Sequence, residues 1–407
     1  MLPKNGLLNR RAFLAGSAGV VTSAVWAGSK ADEPRRSGSG RAMSAYGAPS
    51  KYVGLERLQI GGHPVAPEAG SSSTPLEKLN GTITPNSLHF ERHHSGVPDI
   101  NPIRHRLNIF GNVKRPLSFR YEDLLRYPLV SRVLFIECSG NSYRNLSPKA
   151  PDQSAGELNG LFSCAEWTGV PLRLLLEEAG YDAKSDWIVA EGADAAGMNR
   201  SLPIDLALED AMVALYQNGE PLRGEQGFPL RLLVPGCEGN LSVKWLRSLQ
   251  VRKGPAHTRE ETSKYTDLLK DGSANQFSLR MGVKSVITAP SGKMLLPTHG
   301  VYEISGLAWS GHGAVADVDV SADGGRSWQA AEIQSEPGPY RPTRFRMPWR
   351  WLGQSAVLQS RAIDSAGNIQ PLRAVAMANV APGFAYHYNG IQSWRVDQRG
   401  RVSNVYE

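Results

Sequence analysis

Three cysteines in 407 residues are too few to staple a secreted fold with a disulfide framework. They are Cys138, Cys164 and Cys237, and only a single bridge between Cys164 and Cys237 remains open. None of them belongs to a C-x-x-C-H segment, so the chain attaches no c-type haem of its own, and any electrons it releases must pass to another protein. Long hydrophobic runs are missing as well: none approaches the ~18 apolar residues of a membrane span. A hydrophobic fraction of 41% with 20% charged residues is ordinary for a folded, water-facing protein with a sizeable core. Excess charge is small. Of the 45 basic residues, Lys4, Arg10, Arg11 and Lys30 lie in a leader-like start, and without these four, 41 basic residues face 38 acidic ones. That balance argues against a nucleic-acid partner.

What is present begins with that start. Asn9-Arg10-Arg11-Ala12-Phe13-Leu14 precedes small and apolar residues as far as Ala27, which predicts a twin-arginine signal over 1–31 with cleavage between Ala24 and Ala31. Such export carries folded proteins, and so suits a chain that takes up a complex cofactor before it reaches the periplasm. Residues 32–50, with Pro34-Arg35-Arg36-Ser37-Gly38-Ser39-Gly40, read as a disordered arm. At about 150 residues per domain the remainder suggests two to three. Over 51–281 short apolar runs alternate with helical stretches. Val133–Ile136 and Leu230–Val234 read as buried strands. One helix is expected after Pro171, with Leu172, Leu175, Leu176 and Ala179 on one face and Gly180 closing it; a second is expected from Asp205 to near Asn218-Gly219. From 282 to 407 short strands alternate with turns and no helix is evident, which predicts a β-sandwich. The S-x-D-x-G-x-x-W stretch Ser321–Trp328 occurs once, so it is a single hairpin and not a propeller repeat. The fold class is therefore α+β.

Three segments carry candidate chemistry. In Phe135-Ile136-Glu137-Cys138-Ser139-Gly140-Asn141 a strand runs into a small-residue turn that can present a thiolate to a redox metal, and a buried structural thiol explains the same residues. Ile83–Pro98 contains Arg92, a planar fork suited to an oxyanion, and His94 two residues on. His89, His93 and His94 lack the further ligands at recognisable spacing that zinc requires. In Gly227–Leu246, Arg231 and Lys244 flank a Pro/Gly turn, which is a phosphate site or a pair of surface charges.

The order T-P-N, F-x-R-x-H, C-S-G-N, W-T-G-V-P-L, G-F-P-L-R-L-L-V-P-G and V-K-W-L resembles the sulfite oxidase family over roughly residues 50–400. The resemblance implies a mixed α/β molybdopterin-binding domain over 51–281, followed by an immunoglobulin-like dimerisation domain over 282–407. It implies a molybdenum–molybdopterin cofactor with Cys138 as metal ligand, Arg92 on the substrate and Tyr265 as an active-site tyrosine. His94, Arg231, Lys244, Gln226 and Ser139 would hold the cofactor. Gln226 stands where animal sulfite oxidases have a histidine, and Ser142-Tyr143-Arg144 where they have two arginines, which weakens the case for free sulfite. The tail His387–Val396 is similar to the sulfane dehydrogenase branch of the family, the SoxC type. That branch implies oxidation of sulfane sulfur on a carrier protein of the SoxYZ type, with electrons passed to a c-type cytochrome subunit, in a homodimer or hetero-tetramer. Rival readings are a dehydrogenase of free sulfite, a sulfoxide reductase, and a non-enzymatic assembly subunit.

Overall fold

The computed structural model describes residues 42–63, 66–378, 381 and 386–407. The expected signal and the first part of the arm, 32–41, lie outside the described residues. The chain divides into two units, Met1–Val53 and Gly54–Glu407. In the first, residues 42–53 are exposed and contain neither helix nor strand.

The second unit starts with a three-stranded antiparallel sheet, Leu58–His63, Ala66–Ser73 and Glu91–His93. Two five-stranded sheets follow. The first centres on Val130–Glu137, Phe162–Pro171 and Met212–Gln217, with Glu220–Pro221 and Arg231–Leu233 both paired to the last of these. The second runs in the order Leu117–Phe119, Leu107–Gly111, Leu246–Arg252, Trp187–Gly192 and Asn199–Pro203. Between them lies a core that includes Ile109, Leu175, Ile188, Val213, Leu232 and Leu249, all with no measurable exposure. Burying a leucine-sized side chain fully stabilises by about 1.5–3 kcal/mol, so layers of this kind hold the domain together.

The helix after Pro171 spans Leu172–Ala179, buries Leu172, Leu175, Leu176 and Ala179, and stops at Gly180, whose φ of 64° is the left-handed cap expected of glycine. The second expected helix is a correction. It covers only Ile204–Glu209, and Met212–Gln217 is a strand that turns at Asn218-Gly219. Met212, Val213, Ala214, Leu215 and Gln217 are all buried because this strand sits between two neighbours, and a run buried on both faces carries no alternation to mark it as β.

The C-terminal part is sheet on sheet. Lys284–Ala289, Gly300–Trp309, Thr343–Trp351 and Glu332–Ile333 form one antiparallel sheet; Gln329–Ala330, Val315–Ser321, Ala356–Asp364, Ser393–Val396 and Val402–Val405 form the other. This is the immunoglobulin-like sandwich, with one short helix, Arg373–Ala376, that burial does not hold. The Ser321–Trp328 hairpin joins two paired strands, and the Asp323 carboxylate accepts from the Ser327 amide and hydroxyl to fold it. The sandwich core is continuous with the far face of the Val130–Glu137 sheet. Phe162 stacks on Trp309 with ring centroids 4.0 Å apart.

Candidate active site

Five segments of chain line one pocket: 89–94, 136–138, 194–198, 226–245 and Tyr265. Its empty space, counting the open solvent at its mouth, is about 690 Å³. Of the residues singled out from the sequence, Cys138, Arg92, Tyr265, His94, Arg231, Lys244 and Gln226 line it. Ser139 does not. It is fully buried behind the wall, where its hydroxyl accepts from Asn240 Nδ2 at 3.2 Å, and Asn240 lines the pocket in its place.

Cys138 follows the last residue of a buried strand. Its amide donates to the Leu161 carbonyl at 2.9 Å and its carbonyl accepts from the Asn141 amide at 2.8 Å, so the sulfur sits on a tight turn. Burial pushes the thiol pKa up, and the Gly140 amide and Arg92 pull against it. Cys164 and Cys237 are free, buried in different core clusters, and distant from this role. The bridge left open by the sequence does not form.

The cations define the pocket. Arg231 is 3% exposed and donates only to backbone carbonyls, Gln226 O at 3.1 Å and Ser242 O at 2.7 Å, with its guanidinium 5.2 Å from the Trp167 ring. Burial drives its pKa down to about 9. Lys244 donates to the carbonyls of Arg92 and Glu225 and lies 2.8 Å from His93 Nδ1; burial, then Arg231, holds its pKa well below the usual value. Arg92 is solvent-facing at the mouth. Asp194 is the one carboxylate among the lining residues, and none of the three cations is ion-paired among the described residues. Buried positive charge without a carboxylate is costly unless an anion completes it. Gly227, at φ 109°, lets the chain turn against both cations, since a Cβ there would stand 3.1 Å from the Cβ atoms of Arg231 and Lys244.

His94 Nε2 lies 3.0 Å from the Tyr265 hydroxyl. Burial, then Arg92, pushes the His94 pKa down to about 4, and burial pushes Tyr265 up, so both are uncharged near neutral pH and one proton lies between them. The Arg200 guanidinium stacks 5.1 Å from the Tyr265 ring and pairs with Glu238 at 2.8 Å. Gln226 spends one amide hydrogen on the Phe90 carbonyl at 3.0 Å. Arg144 is not a lining residue; its guanidinium lies 5.7 Å from the Tyr143 ring centroid.

Sequence reasoning gave no place in the site to several residues that line the pocket. His89 has a buried Nε2 without a hydrogen-bond partner. Asn240, Asp194 and Trp245 complete the wall. Trp245 lies in the V-K-W-L stretch, whereas Asn240 and Asp194 fall in none of the matched stretches. Beneath the cysteine turn, Glu137 is 1% exposed and accepts from Asn141 Nδ2, Trp309 Nε1 and Lys284 Nζ, the last two contributed by the sandwich.

Two family models match the chain: the oxidoreductase molybdopterin binding domain over residues 94–260 and the Mo-co oxidoreductase dimerisation domain over 275–394. The chain belongs to the sulfite oxidase family of molybdopterin-binding oxidoreductases. Chicken (Gallus gallus) sulfite oxidase is 31% identical over 318 residues, covering 71% of this chain and 68% of that protein. Mouse (Mus musculus) mitochondrial sulfite oxidase is also 31% identical, over 74% of this chain, which spans 60% of the mouse protein; for barley (Hordeum vulgare) nitrate reductase, 30% identical, the figures are 80% and 40%. Among solved structures, the sulfane dehydrogenase SoxCD from Paracoccus pantotrophus aligns with a TM-score of 0.87 and 42% identity, over 91% of this chain and 96% of that one.

Proposed function

We propose that this chain is the molybdenum subunit of a sulfane dehydrogenase, which oxidises a sulfane sulfur presented on a carrier protein of the SoxYZ type and passes the electrons to a c-type cytochrome subunit. The observation that carries this reading is the 42% identity to the SoxCD chain across nearly the whole length. The cofactor test supports it: a pocket with buried, unpaired Arg231 and Lys244 and an unpartnered His89 Nε2 suits an anionic, polar, phosphate-bearing ligand.

When bound, the molybdenum–molybdopterin group supplies the redox centre at which sulfur is oxidised. Cys138 would ligate the metal, and Arg231 and Lys244 would hold the pterin phosphate. Gln226 and His94 would line the cofactor, with Ser139 acting through Asn240. Arg92, at the mouth, would bind the substrate's anionic end with a fixed charge. Tyr265 and His94 would hold a proton at the Tyr265 oxygen and release it as the sulfur is oxidised. The sandwich would mediate a homodimer, or a hetero-tetramer with two cytochrome subunits. Over the described residues no helix is long and apolar enough to cross a membrane, and the twin-arginine start would take the folded chain to the periplasm.

Free sulfite is the rival substrate. Arg144 is not a lining residue, which leaves Arg92 as the exposed guanidinium of the lining and favours a sulfur on a carrier over a free dianion. The test is steady-state cytochrome c reduction by metal-loaded protein, with free sulfite in one cuvette and a persulfidated carrier plus cytochrome partner in the other. Turnover only with the carrier supports the proposal. Rapid turnover of sulfite alone makes the chain a sulfite dehydrogenase, and inactivity in both returns it to the reductase or assembly reading.

A further inference from the structure

A second polar centre lies behind the pocket wall. His387 is in the C-terminal segment, in the left-handed backbone region at φ 56°, and its amide donates to the Ser139 carbonyl at 2.8 Å. Its side chain is 14% exposed. Nδ1 lies 3.0 Å from both carboxylate oxygens of Asp267, and Nε2 lies 3.5 Å from Glu238 Oε2. A neutral imidazole has one N–H, so one of its nitrogens would turn a lone pair toward a carboxylate. With both nitrogens facing carboxylates, the doubly protonated ring is the form that fits.

The two carboxylates belong to different parts of the site. Glu238, 1% exposed, follows the Arg231 strand and its turn, accepts from Asn240 Nδ2 at 2.8 Å and pairs with Arg200, which stacks on Tyr265. Asp267 lies two residues after Tyr265 and also accepts from Ser278 Oγ. His387 itself follows Tyr386, whose ring centroid is 5.4 Å from that of Tyr265. One side chain thus bridges the pocket wall, the Tyr265 segment and the C-terminal segment.

We propose that His387, as an imidazolium, is a positioning residue that clasps Glu238 and Asp267 and thereby sets the Tyr265 and Tyr386 rings against the pocket. The charged groups that face it are those two carboxylates, with Arg200 bearing on Glu238 from the other side. Although burial opposes the charge, the hydrogen bond that Nδ1 donates to Asp267 and the negative charge of Glu238 near Nε2 outweigh it and raise the His387 pKa to about 10. A pKa raised above the unfolded value of about 6.5 gives stability that is fully present below that pH, declines above it, and is gone once pH passes through about 10.

The effect on turnover rests on the function proposed above; the clasp itself does not. The experiment compares wild type, His387→Gln and His387→Arg as full-length, metal-loaded protein. Thermal unfolding midpoints are measured from pH 5.5 to 10.5, together with metal content, kcat and KM. The expected result is a wild-type advantage over H387Q that is largest near pH 6 and vanishes near pH 10.5. H387R, which keeps a charge at every pH, should retain the advantage throughout. In turnover, H387Q should lose about tenfold in kcat with metal content and KM little changed, and H387R should recover much of that loss. A wild-type advantage that is independent of pH overturns the clasp, as does an H387R no better than H387Q. Loss of metal together with activity overturns the positioning role. If wild type turns over neither substrate, the functional proposal fails, while the unfolding profiles still decide the clasp.

Discussion

Replacing Lys284 with methionine tests whether the sandwich supports the cysteine turn. Lys284 and Glu137 are 2% and 1% exposed, pair at 3.1 Å, and come from the first sandwich strand and the strand that leads into Cys138. The ammonium also donates to Ser142 Oγ at 2.6 Å and the Tyr388 carbonyl at 3.1 Å. Burial holds its pKa below the usual lysine value while Glu137 pulls it back up, which is the balance of a buried pair. Methionine keeps the length and apolar stem but leaves Glu137 with two neutral donors, Asn141 and Trp309, for a buried charge. Removing one partner of a buried pair costs about 3–5 kcal/mol. That is a large share of a domain's stability of about 5–15 kcal/mol. Urea unfolding, followed by both tryptophan fluorescence and circular dichroism because two domains need not unfold together, measures it. The double variant with Glu137→Gln should lose less than the two single losses added, since the coupling term disappears with the pair. A Lys284→Met loss below about 1 kcal/mol, the size of an exposed pair, would refute the reasoning.

Cys138→Ser should abolish turnover and leave the far-ultraviolet dichroism and unfolding midpoint close to wild type, because the turn is held by backbone bonds to Leu161 and Asn141; retained activity sinks the metal-ligand assignment. Arg92→Gln removes an exposed cation from the mouth and should lower kcat/KM by roughly tenfold to a hundredfold, equivalent to one charged hydrogen bond of about 1.5–3 kcal/mol, with unchanged stability. Equal kcat/KM for wild type and variant counts against its substrate role. The His89 pKa is pushed down to about 3, first by burial and then by Arg231, below the usual 6.5. A depressed folded pKa means that its contribution is present above about pH 6.5 and is lost as pH falls toward 3. His89→Asn should therefore lose less stability than wild type between pH 7 and pH 4 in thermal unfolding, and identical losses would remove His89 as a source of acid sensitivity.

Local spacing was enough to read the Leu172–Ala179 helix with its glycine stop, the strand into Cys138 and the single Ser321–Trp328 hairpin, because caps, turns and short apolar runs act over a few residues. Spacing did not pick out Cys138, Arg92, His94, Arg231, Lys244 and Tyr265; the resemblance to the sulfite oxidase family did, and all six line the pocket. Spacing also failed at Met212–Gln217, where burial on both faces erases the period that separates strand from helix. The resemblance put Ser139 at the cofactor, yet its side chain is buried behind the wall, where it accepts from Asn240, and Asn240 takes the lining place. That the pocket cations lack carboxylate partners follows from where five segments meet and from nothing within any one of them. Lys284 and Glu137 are 147 positions apart, and His387 is 120 from Asp267. By itself the sequence determined most of the short elements and, through the family resemblance, which side chains are candidates for the chemistry. Only the tertiary structure decided which charges are buried together, because desolvation and pairing depend on distances in space that no spacing along the chain encodes.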